Sequence, residues 1–407
     1  MSTATPSASP TVTKTPCWPL GFSSAGIGAG IKKLGVNDLA LLVGDSELSA
    51  AAVFTRNLIV AAPIQVSKEN LANSAGRIRA LLINSGCANA ATGSDGLVRA
   101  RSSIDSLAAT LGVTPRSILV NSTGVIGVQL PIDRIEHALP ALTAALKPGS
   151  CETFARAIMT TDTRPKWSSR VVHWTDGTKE CECTVTGVAK GAGMIHPNMA
   201  TMIAVLATDA ALTPVELDGH LRAAVETSFH RISVDGDTST NDSVFALASH
   251  VAGKAPPHLL AEAFKQVSQE LALMIVRDGE GFERGIEVRV RGALTDTDAL
   301  QVARTVATSL LVRTAVTGGD PNWGRILAAA GRAGVPFDPS ALRVSAGGIL
   351  LFERGAPASV DLVKVRNAFT ADTVRIELDL AMGSASDVFW SCGLTKRYVE
   401  INADYTS

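Results

Sequence analysis

The stretch Lys190-Gly-Ala-Gly-Met-Ile-His-Pro-Asn-Met-Ala-Thr-Met-Ile-Ala-Val-Leu206 constrains this chain more than any other. Two flexible glycines and a proline lead directly into an apolar run headed by Thr201, so the backbone turns and then enters a buried element. Two readings of that threonine compete. In the plainer one, Thr201 begins a β-strand and its hydroxyl is merely capped. In the other, Ala200-Thr201 is a scissile peptide whose cleavage frees an α-amine beside a hydroxyl. A free α-amine titrates near neutral pH, so it can take the proton from its own Oγ without help from a histidine.

The second reading needs donors for a tetrahedral oxyanion. Asn121-Ser-Thr-Gly-Val-Ile-Gly127 follows the apolar strand-like run Ser117–Val120 and can present a hydroxyl and a backbone N–H together, although the same sequence also describes an ordinary turn. Asp278-Gly-Glu-Gly281 lies just past a helical pattern and can frame a carboxylate for a cationic amine, or form a solvated helix end.

The remaining elements alternate in a mixed way. Ser168–Trp174 and Lys179–Val188 read as strands joined by Thr175-Asp-Gly-Thr178, where Asp-Gly supplies the left-handed positions of a hairpin. Thr213-Pro-Val-Glu216 places an N-cap, an N1 proline and an N3 acid in order and opens a helix toward His230. Pro256-Pro257 starts a helical pattern through Ile275, and Asp320-Pro321 another through Ala330. Strand-like runs follow at Gly348–Phe352, Val374–Leu380 and Tyr398–Ile401. Helices between hairpins and mixed strands predict a layered α/β architecture rather than a doubly wound sheet.

Composition excludes several classes. The 407 residues, 46% of them hydrophobic, suffice for two or three core-forming units at about 150 residues each. A formal net charge of -1 gives no electrostatic footprint for nucleic acid or an anionic membrane and suits a small or zwitterionic ligand. No apolar run approaches the roughly 18 residues that cross a bilayer. Residues 1–16, rich in Ser, Thr and Pro, read as a disordered tail rather than a signal peptide. Six scattered cysteines, with Cys181-Glu-Cys183 the one close pair, read as buried thiols in a reducing cytosol. Gly26-Ile-Gly-Ala-Gly30 lacks dinucleotide-loop spacing and reads as a flexible turn. Asp235-Gly-Asp-Thr-Ser-Thr-Asn-Asp242 has Thr240 where a calcium loop needs glycine, so it reads as a hydrogen-bonded polar turn, and no metal site is expected.

Five long motifs in one order carry a resemblance. The Lys190–Met202 segment, Asn121–Gly127, Ser233–Asp242, Asp320-Pro-Asn-Trp-Gly-Arg325 and Tyr398-Val-Glu-Ile-Asn-Ala-Asp-Tyr-Thr-Ser407 closely resemble the glutamate N-acetyltransferase family, also called ornithine acetyltransferase, from about Gly21 to the last residue. The resemblance implies stacked mixed sheets flanked by helices, and self-cleavage at Ala200-Thr201 into an α chain (17–200 after the tail) and a β chain (201–407) that interleave in one core and assemble as α2β2. It implies that Thr201 attacks the acetyl group of N2-acetyl-L-ornithine and that L-glutamate then accepts it, in cytoplasmic arginine biosynthesis. Thr123 and Gly124 match the oxyanion pair, and Thr160, Lys190, Thr201, Glu280, Asn402 and Ser407 match the substrate-binding set, with Glu280 also a candidate acid/base. No cofactor is implied, and acetyl-CoA is a co-substrate only in the members that make N-acetylglutamate from it. This sequence departs from the pattern at Phe282-Glu-Arg284, where Ala-Thr-Lys is usual, at His230 in place of asparagine, and at Ser407 in place of threonine. A self-processed N-terminal-nucleophile aminopeptidase or amidase, with water as the acceptor, is the alternative enzyme class, and an uncut amino-acid-binding homologue a third reading.

Overall fold

The computed structural model describes residues 10–13, 15–33, 35–196 and 202–404. Ten strands form the larger sheet: β1 (Thr11–Val12), β2 (Phe22–Ile27), β3 (Leu39–Phe54), β4 (Arg77–Cys87), β5 (Ile118–Val125), β6 (Lys147–Pro148), β7 (Lys166–Asp176), β8 (Lys179–Lys190), β9 (Ile203–Ala210) and β10 (Ser243–Gly253). The 16-residue β3 is its hinge. Its first half pairs with β2 and β4, its second half with β10, and the register against β4 shifts between Val43 and Leu48.

Alternation along the strands folds this sheet into two packed layers. One face of β3, β4 and β5 (Leu42, Ile83, Leu119) shares a core with one face of β8, β9 and β10 (Val188, Val205, Phe245), and α4 (Glu152–Ile158) packs into it through Phe154. The opposite face of the first layer (Leu41, Leu82, Val120) is covered by α1 (Ala62–Asn73), α2 (Gly93–Leu111) and α3 (Ile132–Ala144). The opposite face of the second (Val185, Leu206, Ala246) is covered by α5 (Pro214–Glu226) and α6 (Pro257–Val276). The result is a layered α/β sandwich with helices outside both sheets, as expected. Every residue of β9 is buried because it has a packed layer on each side.

A second, six-stranded sheet follows: β11 (Gly285–Ala293), β12 (Arg343–Ala346), β13 (Ile349–Glu353), β14 (Ala356–Pro357), β15 (Thr373–Asp379) and β16 (Ala385–Cys392). It shares its own core with α7 (Asp296–Ala307), α8 (Leu310–Thr317), α9 (Trp323–Gly331) and α10 (Leu362–Phe369). The terminal described element is α11 (Lys396–Asp404).

Local signals placed several elements well. Thr213 and Glu216 form a reciprocal capping box at α5, and a hairpin joins β7 to β8 as expected, although its turn is Gly177-Thr178: Asp176 is the last strand residue, paired with Lys179, and only Gly177 takes a left-handed φ, +63°. Others need correction. Tyr398–Ile401 is helical, not a strand: Thr395 Oγ1 accepts from the Tyr398 N–H at 3.1 Å and caps the turn, and four residues are too few to separate the two periods. Asn121–Val125 continues β5 instead of turning, because β4 supplies a parallel partner in register to Gly86–Gly124 and, past an irregularity, to Cys87–Val125. Gly26 lies inside β2, against which α4 packs, and is not in a flexible turn. Thr11 and Val12 pair with β7, so the expected disordered tail is already sheet at that point. Cys17 is exposed and Cys181 half-buried, unlike the four buried thiols: Cys17 lies in an isolated bridge to Ser150 between β1 and β2, and Cys181 near the hairpin end of β8. Among the described residues no helix is long and apolar enough to cross a membrane, and no cluster of three metal-ligating side chains occurs.

Candidate active site

Several strand ends and loops converge where β8 stops. Lys190, its last residue, is 2% exposed, and its Nζ donates to Thr123 Oγ1 on β5 at 3.3 Å. Since that hydroxyl oxygen accepts from the ammonium, the hydroxyl's own proton is left for another acceptor. Burial pulls the Lys190 ammonium below lysine's ordinary 10.5; Asp162 opposes the fall and Lys166 adds to it. Gly124, next to Thr123, has φ +131°, and a Cβ there would collide with the Gly86 carbonyl carbon, so no larger residue fits against β4.

The loop between α4 and β7 contributes a buried carboxylate hub. Asp162 Oδ1 accepts from Lys166 Nζ at 2.6 Å and from the Gly191 N–H at 2.7 Å, while Oδ2 accepts from the Thr160 N–H at 3.0 Å. Burial alone would raise this carboxyl, yet Lys190, Lys166 and the Gly191 N–H together hold it down at about 2. Lys166 Nζ also donates to Asp278 Oδ2 at 2.5 Å, and Asp278 accepts from the Thr163 hydroxyl and, at 3.1 Å, from the Thr163 N–H. Asp162 thereby fixes the backbone at both Thr160 and Gly191, on opposite sides of the β7–β8 hairpin.

Glu280 comes from the loop after α6. Its N–H donates to the Ala192 carbonyl at 2.9 Å, and its Oε2 accepts from Asn402 Nδ2 at 2.8 Å, which ties α11 to the site. Gly193 lies so close that a Cβ would meet the Glu280 carboxylate at 2.5 Å. Phe282 borders the same cavity as Glu280 and packs its ring on the core under α6. Arg284 is spent elsewhere, donating to the Thr317 carbonyl at 2.8 Å. His230 Nδ1 lies 3.0 Å from Glu226 Oε1, and burial lowers the ring below histidine's ordinary 6.5, so that departure makes a hydrogen bond from a largely buried side chain, while Arg231 Nε donates to Asp387 at 3.0 Å.

The last contributor is Asp242, just before β10. Its Oδ1 accepts from the Met202 N–H at 3.0 Å, and among the described residues its Oδ2 has no partner. Burial pushes its carboxyl well above the usual range, against the Met202 N–H and Lys190. Ala200, Thr201 and Ser407 lie outside the described residues. The Met202 amide nitrogen is covalently bonded to the carbonyl carbon of Thr201, so Asp242 is anchored one peptide away from it.

Of the residues singled out in the sequence, the structure brings together Thr123, Gly124, Thr160, Lys190, Glu280 and Asn402. It adds Asp162, Lys166 and Asp242, to which the sequence assigns no role. Asp242 ends one of the five motifs, and the strand pattern that is visible in the sequence starts at Ser168, two residues past Lys166. The Asp235 turn is hydrogen-bonded as expected: its carboxylate accepts from the Met194 and Ile195 N–H groups at 2.5 and 2.8 Å, and burial raises it to about 6.

A family model described as the ArgJ family matches residues 23–407. The chain belongs to the ArgJ family. An arginine biosynthesis bifunctional protein ArgJ from Thermosynechococcus vestitus is 46% identical over 409 residues, covering 95% of this chain and 96% of its own. One from Dehalococcoides mccartyi is 44% identical, covering 96% of each chain. Among solved structures, an ornithine acetyltransferase from Mycobacterium tuberculosis complexed with ornithine is 34% identical, with a TM-score of 0.41, over 46% of this chain and 98% of that one. The ArgJ match takes in each convergent residue of the site.

Proposed function

We propose that this ArgJ-family chain is an acetyltransferase of arginine biosynthesis, which cleaves itself at Ala200-Thr201 and moves acetyl from N2-acetyl-L-ornithine to L-glutamate. The observation that carries the reading is the Lys190–Thr123 bond: it leaves a buried hydroxyl proton, beside the glycine at Gly124, available to a developing oxyanion.

In the mature form the Thr201 α-amine takes the proton of its own Oγ as that oxygen attacks the acetyl carbonyl. The Thr123 hydroxyl and the Gly124 N–H receive the oxyanion. Collapse breaks the acetyl C–N bond, the leaving ornithine nitrogen takes the proton back, and an acetyl ester remains on Thr201. The amine of glutamate attacks this ester by the same route in reverse, so no net proton or cofactor is consumed. Glu280, held by Asn402, receives an ammonium group or relays a proton, and Thr160, Lys190 and Ser407 complete the substrate set. The strand order supports a cut chain that stays together, since β9 and β10 lie between β8 and β3. An α2β2 assembly in the cytoplasm and a second, acetyl-CoA-dependent synthesis of N-acetylglutamate belong to the same proposal.

A denaturing gel tests it. The wild type is expected to give two bands of similar size, and Thr201→Ala a single band at the full 42.2 kDa. A wild type that stays intact defeats the mechanism. Ornithine release from N-acetylornithine that ignores added glutamate points instead to the amidase alternative, with water as acceptor.

A further inference from the structure

The proposed reaction asks one pocket to handle two side chains of opposite charge. The donor carries a δ-ammonium, and the acceptor a γ-carboxylate. A cavity of about 380 Å³ opens beside Glu280, lined by Thr161, Thr163, Arg277 to Phe282, Arg397 and Ile401. Its volume suits a single amino acid.

Most of the charges facing this cavity are already committed. Asp278 is held by Lys166 and Thr163, and Arg397 pairs with Glu400 at 3.2 Å. Glu280 keeps one oxygen beyond its bond to Asn402. The Arg277 guanidinium forms no hydrogen bond or ion pair with any described residue, although its backbone is pinned at the C-cap of α6 by a 3.0 Å bond to the Leu273 carbonyl. One anion and one cation are thus left unspent in the same cavity, three residues apart, the cation at the C-cap of α6 and the anion in the loop that follows it.

On the acetyl-transfer reading under Proposed function, we infer that Arg277 binds the γ-carboxylate of the acceptor, while Glu280 serves the ammonium side of the donor, so that Arg277 sets the preference for an acidic acceptor. A guanidinium can take a carboxylate through two parallel N–H bonds, a geometry that a lysine cannot reproduce. The Arg277 side chain also borders a neighbouring cavity of about 440 Å³, lined by Arg164, Trp167, Arg170 and Met274 among others. Glu270, which lines that cavity and pairs with Arg170 at 2.8 Å, gives the guanidinium an anion to turn toward, away from the δ-ammonium, when the donor occupies the site.

The test compares two acceptors on the purified full-length protein, loaded with N-acetylornithine: L-glutamate, read as N-acetylglutamate formed, and isotopically labelled ornithine, read as exchange into N-acetylornithine. In Arg277→Gln the ratio of kcat/KM for glutamate to that for ornithine is expected to fall by about tenfold or more, carried mainly by KM for glutamate. Arg277→Lys recovers part of the ratio, and Arg277→Glu lowers it further. Equal losses on both acceptors overturn the inference alone and make Arg277 a structural residue. A wild type that transfers acetyl to neither acceptor overturns the underlying reading and the inference with it.

Discussion

Lys166 and Lys190 stand at the open ends of two paired strands, with Lys166 in register with Ala189, and both are almost fully buried. Their surroundings differ sharply. Lys166 touches two carboxylates, at 2.6 and 2.5 Å, while Lys190 has one 3.3 Å bond to a neutral hydroxyl. The first ammonium bonds both of its carboxylates directly, whereas the second feels Asp162, Asp242 and Glu280 only through space. Burial of a charge therefore has two opposite meanings a few ångströms apart: a structural clamp at Lys166 and an electrostatic resource at Lys190. The clamp also joins residues 162 and 166, ahead of the proposed cut, to residue 278 behind it.

The largest expected effect breaks the clamp. Lys166→Met leaves Asp162 and Asp278 buried without their shared cation, and should cost about 3–5 kcal/mol of stability in denaturant unfolding. Adding Asp278→Asn should return part of that loss, as coupled neighbours do in a double-mutant cycle. If Lys166→Met unfolds at the wild-type midpoint, the distinction between the two lysines collapses.

Lys190→Met should do the reverse. It removes a cation that no carboxylate bonds directly and whose burial outweighs the pull of Asp162, so thermal stability is expected to hold or rise, while kcat/KM for N-acetylornithine falls roughly 100-fold because the oxyanion hydroxyl and the substrate lose their charged neighbour. A variant that loses stability and keeps activity makes Lys190 a second clamp like Lys166.

The smallest effect is a displacement in pH. Because the folded value of Lys190 is depressed, the folded chain sheds this proton before the unfolded chain does; its contribution to stability therefore rises with pH up to lysine's ordinary 10.5, while the ammonium that serves the site is lost over the same window. The alkaline limb of kcat/KM should lie below 10.5 in the wild type and move to higher pH in Lys190→Arg. An unmoved limb means that another group titrates there. Asp162 gives a slope of the same sign in the acid range: its carboxyl, held at about 2 against an ordinary 3.8, supplies stability that is present above 3.8 and disappears as pH falls toward 2, which melts recorded between those values will follow.

Much of the site was legible in short motifs. Thr123-Gly124, Lys190 and Glu280 each lie in a glycine-framed segment, and such segments mark close backbone approach, which the structure shows at Gly124 and Gly193. The clamp was not legible. Asp162 lies in a Thr-rich loop with no periodicity, and Lys166 opens a strand whose alternation becomes visible only two residues later. Arg277 was equally silent, since a charged residue at a helix end is most often solvated.

By itself, the sequence determined what covalent neighbours decide: the capping box at Thr213, the Asp-Gly hairpin, the buried run after residue 201, and the order Ala200-Thr201. These depend on interactions within a few residues, which a short pattern records faithfully. Only the tertiary structure decided which charges are spent. Lys166 finds Asp278 112 residues away and Lys190 finds Thr123 67 residues away, through a strand order that brings β5, β7 and β8 to one end of the sandwich. Whether a buried ammonium is a clamp or a resource depends on the carboxylates within about 4 Å of it, and that neighbourhood is a property of the fold.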